Sequence, residues 1–279
     1  MRFIFVFALL LGMTGPLWAQ HGGHGGGRPA GGGGRSDWTA QPLLLVGRDD
    51  DDRGSASLRL RGAQAPSVTV FGPAGGQREF QLADGRAKIE VVDAGTGNYH
   101  WVQMRDEQEG HVAVASTVWF SSVSGPAPRR LLDTRHSELE IVPMPLPREH
   151  AAYRESEKWG FTVRYQGQPL AGQRVFMETE NGTRGAFITD AQGMATVLFP
   201  RDFDGKPGGG HGARLSAGFV LGTEHMSDGR HFVTTFNFSY REDADRGRSL
   251  GWGAAFGVLG MASALPLLRQ RRKRSANKE

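Results

Sequence analysis

Between Trp38 and Tyr240 the chain is written in short alternating runs. In "SLRLR", Leu58 and Leu60 would face one way while Arg59 and Arg61 face the other. "SVTVF", "REFQL", "AKIEVV", "NYHWVQM" and "VAVASTVWF" repeat this period of two at close spacing. After Ser137 it resumes in "ELEIVPM", "WGFTVRYQG", "QRVFMETE", "GAFITD", "MATVLFP", "ARLSAGFVLGTEH" and "HFVTTFNFSY". Successive side chains of a strand point to opposite faces, so such runs make strands with one dry and one wet face. Gly, Pro and Asp separate them, and no amphipathic stretch is long enough for a substantial helix. Many short strands with turn signals between them specify an all-β chain of sandwich or barrel type. Two β-sandwich domains are expected, at 37–126 and 136–241, joined by a connector at 127–135. In the last run Phe232, Thr234, Phe236, Phe238 and Tyr240 share a face and are expected to be core.

The two ends read differently. Residues 1–19, MRFIFVFALLLGMTGPLWA, have a charged start at Arg2, a compact apolar centre and a small residue at Ala19, the form of a secretory signal peptide. Residues 20–36 form a Gly/His-rich flexible spacer, too poor in apolar surface to order itself. A polar linker at 242–249 leads into Leu250–Leu268, 19 residues without a charge. That is enough for a single transmembrane helix. The basic run RQRRKR opens the tail 269–279 and places it in the cytoplasm, with the rest outside. The expectation is a single-pass protein of the bacterial inner membrane with its ectodomain in the periplasm.

The formal charge of +4 is a membrane signal and not a nucleic-acid footprint. Leader and tail hold seven of the 33 cations and one of the 29 anions, leaving 26 and 28 between them. The chain has no cysteine, so the ectodomain must hold together by its core alone. Catalytic patterns fail on context. Gly247–Gly251 spells a nucleophile elbow at the membrane entry, where no strand–turn–helix is expected. The Asp49–Asp52 run lacks the later ligands of an EF-hand, and there is no P-loop. A non-enzymatic protein is expected.

The most specific stretch is "VRYQGQPLAGQRVFMETENGTRGAFITDAQGMATVLFP", residues 163–200. Pro169, Gly172, Asp190 and Gly193 supply its turn chemistry. It resembles the transthyretin-like or immunoglobulin-like modules of bacterial surface proteins. With "SELEIVPM" before it and "HFVTTFNFSY" after, residues 137–240 resemble an uncharacterised periplasmic family assigned to nickel or cobalt uptake. That resemblance implies immunoglobulin-like or transthyretin-like sandwiches with a C-terminal membrane anchor, a nickel or cobalt ion as ligand, and a transporter permease in the same membrane as partner. The competing reading is a structural or adhesive module that binds a protein or glycan without metal.

Histidines are the candidate metal ligands. His21 and His24 lie in the spacer, beside the new N-terminus that cleavage would create. His225 and His231 flank "MSDGR". A three-residue loop Ser227–Gly229 would oppose them on one face, within reach of a shared ion. A two-residue Asp228-Gly229 turn would put them on opposite faces. His100, His111, His136, His150 and His211 are read as surface or satisfied core residues.

Overall fold

The chain divides into two compact units, Met1–Gly34 and Arg35–Glu279. The structure, a computed structural model, describes residues 38–48, 52, 54–121, 126–148, 151–203, 215–243, 258, 259 and 261, all within the second unit. The expected leader, the expected spacer with His21 and His24, most of the expected membrane segment and the basic tail lie outside these residues.

Among the described residues the fold is all-β apart from the five-residue helix Arg129–Asp133 and the helical residues Val258, Leu259 and Met261. In chain order the elements are β1 (Leu43–Arg48), β2 (Ser55–Arg61), β3 (Ser67–Phe71), β4 (Gln77–Gln81), β5 (Arg86–Glu90), β6 (Tyr99–Gln108), β7 (His111–Phe120), α1 (Arg129–Asp133), β8 (Leu139–Met144), β9 (Tyr153–Arg154), β10 (Lys158–Tyr165), β11 (Gln168–Pro169), β12 (Arg174–Thr179), β13 (Arg184–Ile188), β14 (Met194–Leu198), β15 (Ser216–Ser227) and β16 (Arg230–Arg241). The alternation behaves as expected. In β2, Ala56, Leu58 and Leu60 are buried while Ser57 and Arg59 are exposed. In β10, Phe161 and Val163 are fully buried.

A central nine-stranded sheet runs in the order β13-β12-β15-β16-β7-β6-β3-β4, with β9 also paired to β16. Two smaller sheets cover it. The three-stranded β1-β2-β5 sheet packs Leu44, Leu58 and Ile89 against Val68, Val70, Val102, Met104, Ala115 and Trp119. The four-stranded sheet of β8, β10, β11 and β14 packs Ile141, Phe161, Val163 and Val197 against Val175, Phe219, Leu221 and Phe236. Strand parity places these layers on opposite faces of the central sheet: in β6, Trp101 joins the second core and its neighbour Val102 the first. Phe232, Phe236 and Tyr240 are buried in the second core, and Phe238 packs against it.

The stretches before and after the connector share this central sheet. β16 pairs with β7 in parallel, from His231↔His111 to Phe236↔Ser116. Where that ladder ends, side chains continue it. Ser116 Oγ donates to Thr235 O (2.9 Å) and Thr117 Oγ1 to Asn237 O (2.7 Å). β9 then takes over the same edge, with Tyr153 opposite Tyr240. On the other face Asn237 acts as a one-residue strand. Its Oδ1 accepts the Leu44 N–H (2.9 Å) and its Nδ2 donates to Leu44 O (3.0 Å). The amide is thereby committed and buried.

The expected connector carries α1, which buries Leu131 and Leu132. Behind it sits an ion pair, with Arg164 Nε donating to Glu140 Oε2 at 2.7 Å and the Glu140 side chain 1% exposed. Glu140 Oε1 also accepts the N–H groups of His136 (2.7 Å) and Ser137 (3.2 Å). Arg164 reaches back to the carbonyls of Asp133 and Thr134. A buried carboxylate so paired and hydrogen-bonded offsets its desolvation.

Candidate binding surface

The β15–β16 hairpin corrects one expectation. Asp228 and Gly229 both take positive φ, 51° and 75°, the signature of a two-residue type I′ turn. Asp tolerates the left-handed region, and Gly adopts it without strain. Met226 therefore opposes His231, and His225 opposes Phe232. The expected three-residue loop does not form, and His225 and His231 lie on opposite faces of the hairpin. His225 packs on Tyr165, ring centroids 4.7 Å apart.

His231 instead meets a histidine that sequence reasoning set aside. The parallel β7–β16 register puts His111 beside it, with ring centroids 5.2 Å apart and planes at 56°. His231 Nε2 lies 3.0 Å from Glu224 Oε2. The pairing could not be seen in the sequence, because it joins strands 120 residues apart through a crossover. Among the described residues no group of three or more His, Asp and Glu side chains is arranged to hold an ion.

His100 and His136 are interior. His100 Nε2 contacts Val92 O (2.9 Å) and its ring packs on Trp119. His136 stacks on Trp101 at 16° between planes, with Nε2 at 2.8 Å from Leu131 O. Burial pushes the pKa of both below the ordinary imidazole value, because a charged ring there would lose its water. The Nδ1 of each ring is buried without a hydrogen-bond partner. His150 and His211 lie outside the described residues.

A concavity lies at one end of the four-stranded sheet. Met144, Pro145, Glu157, Lys158, Trp159 and Gly160 line a cleft of about 590 Å³. Register explains it. Gly160 pairs with Met144 on one side and with Thr196 on the other. A Cβ at Gly160 would come within 2.8 Å of Met194 Sδ and 2.9 Å of Met144 O, so the thioether lies over bare backbone. Lys158 pairs with Leu198 on the same outward face. Met144 (42% exposed) and Leu198 (48%) stand open there. Trp159 is held by two contacts, its Nε1 donating to Glu157 Oε2 (3.0 Å) and its ring edge-on to Tyr153 at 4.9 Å. The alternation marks β10 as a strand but carries no sign of this cleft, which needs three strands in register.

No protein-family model matches the chain, and no curated protein is significantly similar to it. Among solved structures it is similar to a two-domain fibronectin type-III segment of chicken tenascin, at 12% identity over 71% of this chain and 98% of that one, with a TM-score of 0.22. It is similar to a chimeric titin Z1Z2 carrying a decorin peptide, at 11% identity over 73% and 97%, TM-score 0.20. A central fibronectin-III array of RIM-binding protein matches at 12% over 70% and 81%, TM-score 0.23. At these TM-scores the likenesses bear on neither function nor site, and the all-β assignment rests on the strands and their register.

Proposed function

We propose that this chain is a non-catalytic, membrane-anchored module of immunoglobulin-like β-sandwich type that serves a structural or adhesive role by docking a protein partner. The observation that carries it is the cleft lined by Met144, Lys158, Trp159 and Gly160, at whose rim Met144 stands exposed. Aromatic and Met side chains are enriched at protein interfaces, and thioethers adapt to varied surfaces. Lys158 and Glu157 give the cleft a polar rim.

The anchor belongs to the same reading. Val258, Leu259 and Met261 are helical with exposed apolar side chains, which suits a lipid-facing segment. Among the described residues no helix is long and apolar enough to cross a membrane. Signal peptide, anchor and basic tail together favour the periplasmic face of an inner membrane. Nickel or cobalt capture finds no support in the described residues, and His21 and His24 lie outside them.

The test is a peptide-display selection against the immobilised protein. Selected peptides should bind roughly 30-fold more weakly to Met144→Lys and Trp159→Ala, the loss expected of a hot spot. Peptides that bind all three proteins equally, or a glycan array that captures the protein where peptides fail, would remove the cleft as a protein-docking site.

A further inference from the structure

We propose that the hairpin tip of β15–β16 and the start of β7 form a binding site for copper(I), with His111, His231 and Met226 as ligands. Two registers assemble the set. The parallel ladder sets His231 beside His111, and the antiparallel ladder sets Met226 opposite His231. Residues directly paired across a sheet project to the same face, so an imidazole, an imidazole and a thioether stand in one row across three adjacent strands. The His231 N–H donates outward to Gly110 O (2.8 Å) and not to β15. Met226 and His231 are thus a non-hydrogen-bonded pair, the kind in which side chains approach most closely.

The imidazole geometry suits one shared ion. Two imidazoles bound to a metal at about 2.0–2.1 Å, with a near-tetrahedral angle, hold their ring centroids roughly 5 Å apart. The centroids of His111 and His231 are 5.2 Å apart. Glu224 settles which nitrogen of His231 is available. An ionised carboxylate only accepts, so Nε2 carries the proton donated to Glu224 Oε2 (3.0 Å) and Nδ1 keeps its lone pair. A carboxylate that fixes the tautomer of a ligating histidine is a usual outer partner of a metal site.

The donor set selects the metal. Zinc in a structural site asks for four N, O or S ligands, and the described residues gather no three His, Asp and Glu side chains for such an ion. Copper(I) is a soft cation that is satisfied by two or three donors, and thioether sulfur favours it over harder ions. Met226, 62% exposed, would find in the ion a role for a large apolar side chain otherwise left in water.

The experiment is an anaerobic copper(I) titration of the mature full-length protein in detergent, in competition with a chromophoric copper(I) chelator. It is run in a His21→Ala, His24→Ala background, so that spacer histidines cannot contribute. One copper(I) should bind per chain. His111→Ala or His231→Ala should weaken it by roughly 100-fold or more, since losing even an outer partner of a metal ligand costs about 10–100-fold. Met226→Leu, which keeps shape and leaves the fold intact, should weaken copper(I) and remove the sulfur scatterer from the copper X-ray absorption spectrum. Failure to bind one copper(I), undiminished binding after either histidine substitution, or an unchanged spectrum in Met226→Leu would overturn the assignment.

Discussion

The two faces of the central sheet are covered by unlike cores. The β1-β2-β5 sheet closes a mainly aliphatic core drawn wholly from residues before Ser121, with Leu44, Leu58, Ile89 and Met104 among its buried members. The opposite face carries an aromatic core in which Tyr153, Phe161, Phe199, Phe219, Phe236 and Tyr240 meet ring to ring. That core also takes in Tyr99, Trp101, Val112, Val114 and Val118 from β6 and β7. One core is local; the other is built from both sides of the connector. The part before the connector could therefore bury only one of its two faces by itself. The part after it supplies the cover for the other.

The largest effect is expected in the shared core. Phe219→Ala should cost about 3–5 kcal/mol, the range for truncating a buried aromatic side chain. Its ring contacts Phe161, Phe199 and Phe236 leave no simple way for the gap to close. Chemical denaturation checks this, and a loss under 1 kcal/mol would mean that the aromatic core does not carry the fold.

Two ion pairs sharpen the comparison next. Arg164→Met leaves Glu140 buried without its cation and should cost about 3–5 kcal/mol. Arg105 joins Glu138 across the same connector, but both are partly exposed. Arg105→Met should cost only about 0–1 kcal/mol. Equal costs would show that burial does not separate them. Asn237→Leu comes between, at about 1–3 kcal/mol, because it leaves the N–H and C=O of Leu44 without their partner. Hydrogen exchange at Leu44 should rise in that variant.

A further effect is on pH dependence. His100 and His136 are held below the ordinary imidazole pKa, so the folded state refuses protons that the unfolded chain takes up near pH 6.5. Their neutral forms favour folding in full above the unfolded value. Stability should fall as the pH drops below about 6.5, by at most about 1.4 kcal/mol per pH unit for each histidine. An NMR titration should find both rings charging only below the ordinary imidazole value, and a ring that titrates at its ordinary value would remove it from this account.

Periodicity made the strands legible, because a half-buried strand must alternate. It did so for β2, β10 and β16, where Leu58, Phe161 and Phe236 point inward as expected. It did not mark β1, whose "LLLV" is a continuous apolar run. It was silent on the pairing of β7 with β16, since a parallel ladder between distant strands leaves no local trace. That is why nothing in the sequence pointed to His111 as the neighbour of His231. The hairpin error has a narrower cause. Both a type I′ turn and a three-residue loop place Gly at position 229, and only the positive φ of Asp228 decides between them.

The central claim is that the continuous sheet makes residues 38–243 one folding unit. Native-state hydrogen exchange in increasing denaturant tests it most directly, because it reads the opening free energy of each region separately. The amides of Leu58 in β2 and Val163 in β10 report the local and the shared core. The account predicts that their opening free energies converge on one global value and that Phe219→Ala lowers both alike. Separate opening free energies, with Leu58 unmoved by Phe219→Ala, would contradict it.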